Sequence, residues 1–150
     1  MPYTDIISLE DAKDYLGVDD TSRDTEISRM IKSALYFMEK KTQHYLLPID
    51  KVYNYKNNCA RVYDYPINTS ITEDVEVCSG YSIYTESDSD IKTITLNVGY
   101  EEVSDIPEDL VEAGYIMLKF FFYEQEKLEE KGRVPMIVQE IINEYKRFII

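Results

Sequence analysis

Hydrophobic positions recur with a helical period at both ends of the chain and with a period of two in the middle. Near the N-terminus, Leu9, Ala12 and Leu16 share one face. Ser8 is placed to cap that helix, Glu10 and Asp11 fall in its first turn, and Gly17 ends it, so a short helix is predicted over 8–16. A longer helix is predicted over about 21–46. Thr21 or Ser22 is its cap, Asp24 and Glu26 sit in its opening turn, and Ile27, Met30, Ile31, Ala34, Leu35, Met38 and Tyr45 form its stripe, with Pro48 forcing an end.

The period then changes. Val52, Tyr53 and Tyr55 lead into Asn57-Asn58, and Cys59 to Tyr65 alternates. Val75, Val77 and Cys78 precede Ser79-Gly80, followed by Tyr81, Ile83 and Tyr84, and Ile94, Leu96 and Val98 alternate with Thr93, Thr95 and Asn97. About five antiparallel strands joined by hairpins are expected. Helical spacing returns at Pro107 with Leu110, Val111, Gly114, Met117, Leu118, Phe121 and Phe122, predicting a helix over 107–128. Gly132 breaks it, and Pro135 opens a last helix over 135–148 with Ile137, Val138, Ile141, Ile142 and Tyr145 as its stripe. The expected fold class is mainly α with a small antiparallel β insertion (α+β): about four helices around a roughly five-stranded region. It reads as one domain of 150 residues, helical over 1–50, β over 51–100 and helical over 101–150.

Composition narrows the chemistry. A net charge of −13, from 16 basic and 29 acidic residues, argues against gripping a phosphate backbone, which needs clustered Lys and Arg. With 44% hydrophobic and 30% charged residues the chain reads as globular and soluble. No apolar run reaches a membrane span, and the first residues carry neither a basic segment nor an apolar signal core. Cys59 and Cys78 leave a disulfide open, with reduced, partly buried side chains the simpler reading.

Catalytic and metal sites find little support. His44 is the only histidine, placed near the end of the second helix, where a polar residue is ordinary. Glu86-x-Asp88-x-Asp90 lacks the sixth-position Gly and the twelfth-position Glu of a calcium loop, where Asn97 stands. Glu101-Glu102 and Glu129-Glu130 are neighbours that point apart on a helix. No phosphate loop, dinucleotide fingerprint or nucleophile elbow is present, so no catalytic, metal or cofactor residue is assigned and no cofactor is expected. Of the 14 tyrosines, Tyr53, Tyr55, Tyr63, Tyr65, Tyr81 and Tyr84 crowd the strand zone, where sheet packing and a protein interface are equally good readings.

At this point the sequence resembles the head–tail connector (adaptor) proteins of long-tailed bacteriophages. The resemblance rests on Leu9-x-x-Ala12-Lys13-x-x-Leu16-x-Val18, on Asp24, Ile27, Ile31, Ala34, Glu39 and Thr42, and on Gly99-Tyr100 and Ile106-Pro107-x-x-Leu110-x-x-Ala113. It continues through Tyr123-Glu124, Val134-Pro135 and Ile141-Ile142-x-x-Tyr145-Lys146. Gln125 and Glu126 stand where the family often has Arg.

The resemblance implies a structural virion protein at the head–tail interface, assembled in the host cytoplasm, and not an enzyme. It implies a homo-oligomeric ring, commonly of twelve copies, docked under the portal protein and met on the other side by a tail completion or tail terminator protein. DNA would pass through without specific binding, and no membrane is involved. Phe120, Phe121, Phe122 and Tyr123 are the expected subunit interface, since that run is apolar around more than one helix face. Tyr145, Lys146, Arg147, Phe148, Ile149 and Ile150 are the expected portal interface: three apolar residues end the chain beside basic charge on an otherwise acidic protein. The competing class is a small acidic interaction module such as a DNA mimic, with an enzyme of unknown type behind it.

Overall fold

The computed structural model describes residues 2–56, 58–79, 82–85, 92–131 and 134–146, with backbone alone over 125–131. The chain divides into two compact units, one formed by Met1–Thr42 with Ile106–Ile150 and the other by Gln43–Asp105. The α+β class is as the sequence implies, but the period changes near 50 and 100 fall inside the second unit and do not mark its bounds.

The first unit is helical: α1 Leu9–Leu16, α2 Asp24–Thr42, α3 Glu108–Lys131 and α4 Met136–Tyr145, after a short 3-10 turn at Tyr3–Asp5. Ser8 caps α1 as expected, its hydroxyl accepting from the Asp11 N–H at 3.0 Å, and Gly17 ends it in the left-handed region at φ 70°. Ser22 does not cap α2. Its hydroxyl donates to the Asp20 carboxylate instead, and α2 begins at Asp24.

The far end of α2 falls short of the expected 46. Thr42 turns its hydroxyl back onto the Met38 carbonyl at 2.7 Å, Gln43 takes φ 59°, and Tyr45 then exchanges backbone hydrogen bonds in the other unit. Ile27, Ile31, Ala34 and Leu35 are fully buried, as are Leu110, Ala113, Met117 and Leu118 of α3. Gly114 of α3 packs tightly under Leu35 of α2: a Cβ there would lie 2.9 Å from Leu35 Cδ2 and 3.4 Å from Ile7 Cδ1. α3 bends at Glu124, which has φ −131° and ψ 20°.

Among its described residues the second unit holds six strands where about five were expected: β1 Ile49–Tyr55, β2 Cys59–Arg61, β3 Ile67–Ser70, β4 Val75–Ser79, β5 Ser82–Thr85 and β6 Lys92–Val98. They form two antiparallel three-stranded sheets, ordered β1-β6-β3 and β2-β5-β4. The alternating run expected through Tyr65 stops at Arg61, and Tyr65 pairs instead with residues 43–45; its peptide bond to Pro66 is cis. The overlooked strand is β3, whose Ile-Asn-Thr-Ser sequence carries one hydrophobic residue. Val62, Ile67, Ile83, Ile94, Leu96 and Val98 form the core of this unit, with Tyr45, Tyr53 and Tyr55 packed against it. Among the described residues no helix is long and apolar enough to cross a membrane.

Candidate functional site

The helical unit places the four aromatic residues expected at a subunit interface in different settings. Phe120 is buried. Phe121 meets Phe37 edge-to-face with ring centroids 6.3 Å apart, and the Arg23 guanidinium lies 4.0 Å above the Phe122 ring. Tyr123 alone of the four is largely exposed, at 58%, yet its hydroxyl is fixed by donation to the Leu16 carbonyl at 2.7 Å. Its ring is therefore a held wall and not a loose side chain. Beside it an open groove of about 360 Å³ runs between α3 and the start of α4, lined by Ile116, Lys119, Phe120, Tyr123, Glu124 and Pro135.

Met136 and Ile137, directly after Pro135, are 78% and 53% exposed. The helical spacing places Ile137 on the apolar stripe of α4, but the residue is exposed. Val138 and Ile142 are what that helix buries. The signal was present in the run Met136-Ile137-Val138: successive helix positions point about 100° apart, so three adjacent apolar residues cannot all face one core.

Of the expected portal interface, Tyr145 donates its hydroxyl to Asp109 Oδ1 at 2.6 Å, which ties it within its own unit. Lys146 is exposed, and its N–H closes α4 on the Ile142 carbonyl. Arg147, Phe148, Ile149 and Ile150 lie outside the described residues.

The sheet unit gathers polar groups, but not in a reactive arrangement. Lys51 Nζ donates to Asp64 Oδ2 and to the Tyr45 hydroxyl, both at 2.7 Å, and the Tyr53 hydroxyl donates to the same carboxylate oxygen at 2.6 Å. Burial pulls the Lys51 ammonium down, but the hydrogen bonds to Asp64 and Tyr45 outweigh it and hold its pKa above the ordinary lysine value. Burial, then the Asp64 carboxylate, pushes the Tyr53 phenol well up, and burial with Asp64 and Tyr63 takes Tyr55 up to about 12. An acid or base catalyst needs a pKa near the working pH. Here the ammonium and both phenols hold their protons more tightly than usual, so the cluster braces the sheet.

His44 lies just past α2, buried, sharing a 2.9 Å hydrogen bond with the Tyr100 hydroxyl, its ring tilted against that of Tyr65 with centroids 4.8 Å apart. Among the described residues no group of three or more His, Cys, Asp or Glu is placed to hold a metal ion. Glu86, Asp88 and Asp90 lie outside the described residues.

Cys59 and Cys78 are free and exposed, contrary to the partly buried expectation. They sit on β2 and β4, on either side of β5, where two strand spacings of roughly 9–10 Å exceed disulfide reach. Tyr53 and Tyr55 answer the tyrosine question in favour of packing at those positions, while Tyr84 is exposed on β5.

No family model matches the chain, and no curated protein matches it in sequence. Solved structures do match it. A chain in the neck of an empty gene transfer agent (GTA) particle, computed with C6 symmetry, matches with a TM-score of 0.75 at 13% identity, covering 99% of this chain and 93% of that one. A chain in the neck of the native GTA particle, computed with C12 symmetry, matches at 0.70 and 13% identity, covering 99% and 92%. A chain of the native GTA virion matches at 0.69 and 13% identity, covering 100% and 93%. At this identity the likeness is one of fold, and it spans essentially the whole of each chain: the protein has the fold of a chain from the neck of a gene transfer agent particle.

Proposed function

We propose that the protein is a structural subunit of the neck of a tailed, phage-like particle, one copy in a ring that docks under the portal and joins head to tail. The observation that carries this reading is the end-to-end fold match to a chain of a GTA neck, reciprocal at 99% and 93% coverage. Helical unit and sheet unit are both within the match, so the likeness is not that of a common helical hairpin.

Twelve copies are proposed, in keeping with the connector resemblance and with the C12 symmetry used for one of the matched necks. The ring extends the DNA channel and receives a tail completion or terminator protein on its far side. The net charge of −13 suits such a passage: acidic walls repel phosphate, and screening confines the repulsion to about 8–10 Å, so DNA slides without being held. No chemistry is asked of the subunit, which acts by shape and contact. Its place is the virion, with assembly in the host cytoplasm.

Mass spectrometry of purified particles that carry this protein tests the reading. About twelve copies per particle, counted against the portal, are expected. Absence from the particle, or one or two copies, would overturn it.

A further inference from the structure

The outer face of α2 runs against the charge of the rest of the chain. Arg29, Lys32, Tyr36 and Lys40 follow one another at spacings of three and four, all exposed, on the face opposite the buried Ile27, Ile31, Ala34 and Met38. Between Ile27 and Thr42 the one acid is Glu39, and it is buried. Among the described residues no carboxylate forms an ion pair with Arg29, Lys32 or Lys40. Tyr36 is 50% exposed, and Lys40 Nζ lies 5.3 Å from its ring centroid.

We infer that this stripe docks against α1 of a second copy of this chain, at the cleft lined by Leu9, Glu10, Lys13, Asp14, Val18 and Asp19. The inference rests on the neck reading, whose ring it supplies with one subunit contact. The cleft is open, with a volume of about 370 Å³. Leu9 and Val18 make it partly apolar, and Glu10, Asp14 and Asp19 are exposed around them. Lys13 does not neutralise these acids, because its ammonium is already paired with Asp24 at 2.8 Å.

The two patches match in chemistry and in spacing. Lys32, Tyr36 and Lys40 stand one helical turn apart, as do Glu10 and Asp14, a rise of roughly 6 Å for each four residues. An aromatic side chain flanked by cations meets an apolar-lined cleft edged by carboxylates. Tyr with Arg is also the composition that dominates interface energies. Two copies of net charge −13 repel each other as whole bodies, so a contact between them needs such a local pairing of unlike charge. Duplex DNA is the other polyanion for a cationic helix face, but it offers Tyr36 no apolar cleft, and the acids elsewhere on the chain oppose it. Stripe and cleft are different patches of the helical unit, so the contact is head-to-tail and closes a ring where the rotation fits.

Sedimentation equilibrium of the full chain at low salt tests the contact by charge exchange. Self-association is expected with a dissociation constant on the order of 0.1–1 mM, weakening as salt rises. The stripe variant Lys32→Glu with Lys40→Glu should associate about tenfold more weakly, and so should the cleft variant Asp14→Lys with Asp19→Lys. An equimolar mixture of the two variants should regain the lost association, since each then meets unlike charge on the other. Lys32→Gln with Lys40→Gln, and separately Tyr36→Ser, serve if a charge-reversed chain fails to fold, and each should weaken association. A wild-type chain that stays monomeric up to roughly 1 mM overturns the inference. So does association indifferent to the folded stripe variants, or a mixture no tighter than its separate components. Binding of a 20-base-pair duplex that is lost in the stripe variants, without self-association, would make the stripe a phosphate contact and also overturn it. The copy count in particles tests the neck reading itself and is untouched by any of these outcomes.

Discussion

Two phenols and one carboxylate show how far residue chemistry reaches in this protein. Tyr53 and Tyr55 are held protonated by burial and by the Asp64 carboxylate. A raised folded-state pKa means the native state binds its proton more tightly than the unfolded chain. The associated stability is present below the unfolded tyrosine value near pH 10 and drains away as pH rises through the folded values. An alkaline titration followed by tyrosinate absorbance should therefore show a late class of tyrosines, with Tyr55 near 12, accompanied by loss of sheet structure. Tyr53→Phe should remove one member of that class. If all 14 tyrosines titrate together near pH 10 with the fold intact, the packing around Asp64 is wrong.

Asp64→Ala removes the carboxylate that both Lys51 and Tyr53 donate to, leaving the half-buried ammonium its Tyr45 hydroxyl but no counter-charge there, and should cost about 1–3 kcal/mol in denaturant unfolding. None of this cluster was legible in the sequence, because Lys51 and Asp64 lie in different strand-zone segments and only the folded sheet unit brings them within 2.7 Å. The burial of His44 was not legible either, since its setting depends on Tyr100, 56 residues away.

Elements were read well where one periodicity ran unbroken and poorly where a neighbour decided the ending. α1 was readable to its caps because Ser8 and Gly17 act locally. The C-terminus of α2 was not: Leu46 is as apolar as the stripe before it, and what stops the helix is the pairing of residues 43–45 with Tyr65. β3 was missed because strand membership there comes from pairing with β6, which its polar residues do not announce. Gly114 looked like one more member of an apolar face, and its role appears only in the crossing of α2 and α3. Leu in its place must push into Leu35 and Ile7, both fully buried, and should destabilise the protein by about 1–3 kcal/mol in denaturant unfolding. An unchanged unfolding midpoint would mean that the two helices are not so close. The apolar start of α4 belongs to this scale too: its apolar residues divide between a buried face, Val138 and Ile142, and an exposed one, Met136 and Ile137.

For the whole molecule, sequence patterning was enough for an α+β chain with strands between helical ends, and the connector resemblance pointed to a fold that the GTA neck chains share. Neither the division into units at 42/43 and 105/106 nor the groove beside α4 could be read that way, because both arise from contacts between distant segments. An acidic interaction module would share the net charge of −13, but its partner would be a basic protein and it would have no fixed place in a particle. Cryo-electron microscopy of particles carrying this protein, averaged at the head–tail vertex, separates the two accounts most directly. A ring of about twelve copies stacked on the portal, with density fitted by both the helical and the sheet unit, is the predicted result; a neck built without this chain would contradict it.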